Sequence, residues 1–114
     1  MAIAVTATKN SMCAEYASLG NFISIHTASP GGTGANEASG GSPAYARQAT
    51  TWGSASAATI TGSQVTINLP SGTYTYAGIW TAATSGTFVD QVAISSTTLG
   101  SQGSLLVTPS FSMT

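Results

Sequence analysis

The sequence carries very little charge. Only Lys9, Arg47, Glu15, Glu37 and Asp90 are ionised near neutrality, 4% of 114 residues, where an ordinary globular chain has roughly 25%. Two cations cannot supply the phosphate neutralisation on which nucleic-acid binding rests. Nor can they supply the basic face of a membrane-surface helix. The same count excludes a charge-driven disordered tail. Cys13 is the single cysteine, so no internal disulfide forms and the residue reads as a small buried hydrophobe. No apolar run approaches the ~18 residues of a membrane span. Residues 1–7 are apolar but have no basic segment before them, a poor match to a secretory signal, so cytosolic synthesis is expected.

Large aliphatics and Phe are also scarce, below a fifth of the chain, while Ser, Thr, Ala and Gly supply more than half. That scarcity approaches the composition of disorder. Against it stand Trp52, Trp80 and four tyrosines, which are large buriable surfaces, and an ordered alternation of the apolar residues. One folded domain over 1–114, with a small core, is therefore expected. A net charge near zero favours association, and a hydroxyl-rich surface suits a chain that works inside an assembly.

The spacing predicts one helix over 8–19, capped by Thr8 or Asn10, with Met12, Tyr16 and Leu19 as its apolar stripe and Gly20 as its stop. Residues 1–7 would precede it as an extended arm able to add to a neighbour's sheet. Strands follow at 22–28, where Ile23 and Ile25 oppose Ser24 and His26, and at 45–52. Residues 54–61 are small and polar, with Ile60 as the only anchor. The alternation at 64–69 is the cleanest in the chain. Residues 73–81 place Tyr74, Tyr76 and Trp80 on one face, and a five-residue turn leads back through a strand at 87–95. In 104–114 the alternation is strict, and Pro109 marks an edge strand or a bulge. Between the first two strands lies a long Gly-rich loop, 29–44. Together these elements predict a mainly β fold, a single-domain antiparallel β-sandwich of the jelly-roll or immunoglobulin-like kind with one short N-terminal helix. The strand order is left open.

Catalysis mostly needs titratable groups, and few are present. Metal ligation by His26 with Cys13, Glu37 or Asp90 has no spacing motif behind it. A Ser–His–Asp set would need His26 and Asp90 to converge, and no G-x-S-x-G elbow occurs. Paired carboxylates and the phosphate-cradling G-x-x-x-x-G-K-[ST] pattern are likewise missing. The expectation is no catalytic residue, no cofactor and no metal. Asp90 falls on the same strand face as Phe88, Val92 and Ile94. Either it pairs with Arg47 to hold the long loop, or, as is favoured, a bulge turns it outward. The aromatics Tyr74, Tyr76, Trp80 and Trp52 read as core, with sugar stacking on an exposed sheet face as the alternative.

The stretch IHTASPGGTGANEASGGSPAYARQATTWG (25–53), followed by GIWTAATSGTFV (78–89), resembles a family of small bacteriophage proteins. These are the tail-fibre or minor structural proteins of phages that infect actinobacteria. The resemblance covers roughly residues 15–95 and fits 96–114 less clearly. It implies a non-enzymatic, β-rich virion component on the particle exterior, made in the host bacterial cytoplasm. One compact domain has no long stem, so a tip, collar element or knob is implied. A capsid-decorating protein bound to the major capsid protein is the alternative, and a free carbohydrate-binding domain stands behind both. In either virion role the partners would be other virion proteins, tail or major capsid, and further copies of the chain in a homo-oligomer such as a trimer. The expected contact surfaces are the loop 29–44 and the aromatic hairpin 73–89. Their candidate residues are Pro30, Gly31, Gly34, Asn36, Glu37, Tyr74, Tyr76 and Trp80, chosen because small loop residues let a partner approach the backbone.

Overall fold

The computed structural model describes residues 4–113. In chain order the elements are α1 (Thr6–Leu19), β1 (Phe22–His26), β2 (Gln48–Ala49), β3 (Thr59–Thr61), β4 (Val65–Leu69), β5 (Gly72–Trp80), β6 (Phe88–Leu99), β7 (Gly103–Val107) and β8 (Ser110–Ser112). All pairings are antiparallel, and the fold is mainly β with one short helix, as the patterning predicts. The strand order is β2-β1-β5-β6 in a four-stranded sheet, with two ribbons, β3-β8 and β4-β7. Of the arm expected over 1–7, residues 1–3 lie outside the described residues, and Thr6 already belongs to the helix.

The main core lies between the four-stranded sheet and the β4–β7 ribbon. Ile23 and Ile25 of β1, Tyr74 and Ala77 of β5, and Val65, Ile67 and Leu69 of β4 form one buried cluster. Leu105 and Val107 of β7 pack against it. Period-two alternation turns one row of each strand inward, which makes this a sheet-on-sheet arrangement. The β3–β8 ribbon, where Ile60 faces Phe111, carries the helix. Tyr16 stacks on Phe111 at 3.8 Å and meets Trp52 edge-on at 6.2 Å.

Several expectations need correction. The helix buries Cys13 and part of Tyr16, whereas Met12 and Leu19 are exposed, so the predicted stripe is not its inner face. Its N-cap is Val5 rather than Thr8 or Asn10. Asn10 Oδ1 instead accepts the Ala58 backbone N–H. Gly20 does end the helix, but in extended backbone (φ 179°). What demands glycine there is space, because a Cβ would lie 2.6 Å from the Trp80 carbonyl oxygen.

The strand expected over 45–52 shrinks to two residues, because Tyr45 and Arg47 are committed to the preceding loop. β6 runs past the expected end at 95 into Ser96, Thr97, Thr98 and Leu99. Its hydroxyl rows carry no hydrophobic period to read, yet Thr98 pairs with Thr73 through side-chain oxygens 3.0 Å apart. The final segment breaks at Pro109 into β7 and β8, as a residue without an N–H requires.

Tyr74, Tyr76 and Trp80 do not share a face. A register shift between Tyr74 and Tyr76 inserts a bulge, and a bulge reverses the alternation. Tyr74 therefore enters the main core, while Trp80 lies on the opposite side of the sheet.

These packings rank the residues. Ile25→Ala should lower the unfolding free energy by about 2–5 kcal/mol, because it opens a cavity in the main core. Val92→Ala, at 60% exposure, should change it by no more than about 0.5 kcal/mol. Urea denaturation of the two variants measures both.

Candidate functional site

The side of the sheet away from the main core is also covered, and by the chain itself. Ser24 and His26, on the polar row of β1, are both fully buried. Gly78 faces Ser24 across the β1–β5 pair, and a Cβ there would come within 2.6 Å of Phe88 and 2.7 Å of Ser24 Oγ. Trp80 and Phe88 pack edge-to-face at 5.1 Å, and Phe88 meets His26 at 5.9 Å. The roof is the Gly-rich loop. Gly34, at φ 79°, sits so close to the Trp80 indole that only a residue without a Cβ fits.

One ion pair closes this roof. Arg47 Nε donates to Glu37 Oε2 at 2.8 Å, and Nη2 donates to Oε1 at 2.9 Å. Its guanidinium lies 3.5 Å above the Trp80 ring, a cation–π contact. Its remaining nitrogen, Nη1, donates to the carbonyls of Ala82 and Ser85 in the β5–β6 turn. A planar fork with five donors can join a loop carboxylate, an aromatic face and a turn at once; an ammonium cannot. Tyr45 completes the clamp by donating its hydroxyl to Glu37 Oε2 at 2.7 Å while accepting the Ile25 backbone N–H. Burial, and then the Glu37 carboxylate, push the Tyr45 phenol well above its ordinary pKa, so it stays a donor. Loop backbone bonds hold the rest, from Thr27 N to Asn36 O and from Ala38 N to Ile25 O.

Beneath the roof runs a chain of donors. A carbonyl only accepts, so His26 Nδ1–H donates to Ala35 O at 2.8 Å. That tautomer is assigned from its partners. It leaves Nε2 to accept the Ser24 hydroxyl at 2.7 Å, and Ser24 Oγ accepts the Trp80 indole N–H at 3.0 Å. Ser24 and His26 thus lie as close as a nucleophile and its base would, but both are sealed from solvent. The partner of His26 Nδ1 is a backbone carbonyl rather than Asp90. Among the described residues no group of three or more His, Cys, Asp or Glu side chains could hold a metal ion. No helix among them is long and apolar enough to cross a membrane.

Asp90 does not pair with Arg47. Nor does a bulge turn it outward: a register shift lies between Ile79 and Trp80, but Asp90 stays half-buried opposite Ile79. The carboxylate turns to Tyr16, accepting its hydroxyl at 2.7 Å and so tying the helix to the sheet edge. Burial, and then this bond, raise the Tyr16 pKa. The clamp partner is Glu37, which the sequence reading offered as a partner contact and not as the mate of Arg47.

The eight candidate contact residues fall into two groups. Pro30, Gly34, Tyr74 and Trp80 are interior, with Tyr74 at 2% and Trp80 at 8% exposure. They build the loop and the core, and little of them is exposed. Gly31 and Asn36 are exposed, and Glu37 and Tyr76 are half-buried. Trp52 donates its N–H to Gly20 O and lies with Tyr16. The aromatics are therefore not gathered on one exposed face, and the sugar-stacking alternative loses its platform.

The clamp has a pH signature. Burial lowers the His26 pKa below its ordinary 6.5, against the pull of the Ala35 carbonyl and Glu37. The unfolded chain then binds a proton that the folded chain refuses, so this contribution is full above that value and is lost as pH falls through it. Burial alone would raise the Glu37 pKa, but the Arg47 and Tyr45 bonds outweigh it and hold it below its ordinary 4.5. Its contribution is lost in turn at lower pH. Urea midpoints should fall between pH 7.5 and 5.5 in the wild type and stay level in His26→Gln; a slope kept by the variant would contradict the assignment. Arg47→Lys, which loses the fork, should cost about 1–3 kcal/mol of stability in the same measurement at pH 7.5, with Lys9→Ala as a near-neutral control.

No curated protein and no solved structure matches the chain. A family model described as podophage GP4 fiber I protein gp80 matches residues 8–114. The match takes in α1 from its third residue, the clamped loop and every strand, and includes the segment 96–114 that the motif resemblance covered least clearly. The chain therefore belongs to the podophage GP4 fiber I protein gp80 family.

Proposed function

We propose that this chain is a non-enzymatic structural module of a phage tail fibre, exposed on the particle and bound to other virion proteins. The observation that carries this reading is the fibre-family match over residues 8–114. The geometry supports it. The one Ser–His pair is sealed, and the long loop is held as a fixed wall rather than left as a mobile lid. Fibre membership gives no support to capsid decoration.

Within this reading the chain is made in the infected cell's cytoplasm and assembles as a homo-oligomer, with a trimer as one closed form. The exposed loop residues Gly31 and Asn36, with half-buried Glu37 and Tyr76, are the contact residues it favours. The attribution to phages of actinobacteria rests on the motifs IHTASPGGTGANE and GIWTAATSG. Adsorption of the particle to an actinobacterial host tests it.

The function itself is tested by imaging purified particles at a resolution that traces chains. Tens of copies or fewer, all on the tail, are expected. Hundreds of copies on the head lattice would overturn the proposal.

A further inference from the structure

Residues 28–36, the stretch of the roof that lies over Trp80 and Phe88, are bonded mainly to themselves. The Gly34 and Ala35 N–H groups donate to Pro30 O, Gly31 N–H to Ser29 Oγ, and Asn36 Nδ2 to Ser29 O. Among the described residues, their hydrogen bonds to the rest of the chain go to two residues. Thr27 donates to Asn36 O at the neck, and His26 Nδ1–H donates to Ala35 O. The neck itself is fixed, by Thr75 on Thr27, by Ala38 on Ile25 and by the Arg47 clamp on Glu37. The stretch has no large aliphatic or aromatic side chain, so little apolar area holds it down. It is a self-contained Ω-loop, closed at its ends and latched at one side chain.

That side chain titrates. The groups facing His26 are Tyr76, opposite it on β5, and Glu37 and Arg47 from the loop. Tyr45 acts on it through Glu37, and β6 presents Phe88 and no charge, since Asp90 turns to Tyr16. A proton on Nε2 turns an acceptor into a donor. It would point at Ser24 Oγ, which already accepts the Trp80 N–H, and the Ser24 hydroxyl would lose its acceptor. The charge would strengthen the bond to Ala35, but burial outweighs that gain, and the closed form resists the proton. Acid therefore favours any state in which water reaches the imidazole. Full unfolding is one. Lifting residues 28–36 costs less, because it leaves the main core on the opposite side of the sheet untouched.

We propose that residues 28–36 are a proton-released lid, which lifts from Trp80 and Phe88 on its fixed neck when His26 takes up a proton, while the main core stays folded. This goes beyond the fibre assignment and does not depend on it. At neutral pH the lid is shut and is a fixed part of the roof. In acid it uncovers an aromatic wall, Trp80 and Phe88, beside Ser24 and His26.

The Trp80 indole N–H, bonded to Ser24 beneath the lid, is the probe. Its hydrogen exchange in the isotope-labelled full chain is followed by NMR at pH 7.5 and 5.5, with the amide of fully buried Ile67 reporting the main core. Protection of the Trp80 N–H, corrected for the intrinsic rate, should fall by up to about tenfold between the two, as an imidazole charges in the open state and not in the closed one. At pH 5.5, sub-denaturing urea should leave that exchange unchanged while it speeds exchange at Ile67, because a lid exposes little surface and global unfolding exposes much. In His26→Gln the pH dependence should vanish. Gly34→Ala sets a Cβ against the Trp80 ring and should hold the lid open, so that the Trp80 N–H exchanges fast at pH 7.5 with Ile67 still protected. This second variant tests the lid even where His26→Gln does not fold. Trp80 protection that ignores pH, that responds to urea as Ile67 does, or that keeps its slope in His26→Gln would overturn the proposal. So would a Gly34→Ala chain whose Trp80 N–H stays as protected as in the wild type.

Discussion

The Arg47–Glu37 pair is the constraint on which the rest of this structure depends. In a chain with five charged residues, two are spent on one bidentate contact that spans the long loop, the Trp80 face and the β5–β6 turn. Without it the loop from Thr27 to Arg47 would have little to hold it, because its residues are mostly Gly, Ser, Ala and Pro. Such residues bring flexibility and almost no apolar area. With it the loop becomes a roof over Ser24, His26, Trp80 and Phe88. A row of polar groups on β1 can then be buried, each with a hydrogen-bond partner. No buried side-chain nitrogen or oxygen among the described residues lacks one.

This arrangement answers the shortage of large aliphatics. A small sheet with one core would leave the other face of β1 and β5 in water. Here that face has its own layer, built from two aromatics, a histidine and a serine instead of Leu and Ile. Covering both sides of the sheet gives a domain of low charge a stiff interior. It leaves outside a surface of hydroxyls and small residues suited to close packing in an assembly. A fibre module must hold its shape, and this interior is fully hydrogen-bonded among the described residues.

Much of the fold was legible in the sequence. Residues 22–26 and 65–69 alternate with period two, and their core rows obey it; 72–80 does so only on either side of its bulge. The helix, the turn at 82–86 and the break at Pro109 were equally readable. What escaped has physical causes. The bulge that sends Tyr74 and Trp80 to opposite faces is a two-residue register shift between β5 and β6, and no composition signal marks it. The extension of β6 is stabilised by paired hydroxyls, which alternate without hydrophobic contrast. The partners of Arg47 and Asp90 are a contest among few charges, decided by the loop's path and by where α1 lands. In hindsight one clue was present, since Glu37, Tyr45 and Arg47 are the polar anchors of a stretch otherwise made of small residues. The covered polar face of β1 was hidden because His26 and Ser24 look like surface residues until the loop is placed above them.

The claim that one clamp turns a Gly-rich loop into a structural layer is tested most directly by native-state hydrogen exchange, residue by residue, at neutral pH. The amides of Gly34, Ala35, Ala38 and Tyr45, all bonded to carbonyls, should be protected to a degree approaching that of the β1 amides. Their exchange at free-chain rates, beside a protected β1, would show that the loop is not held and would contradict the account.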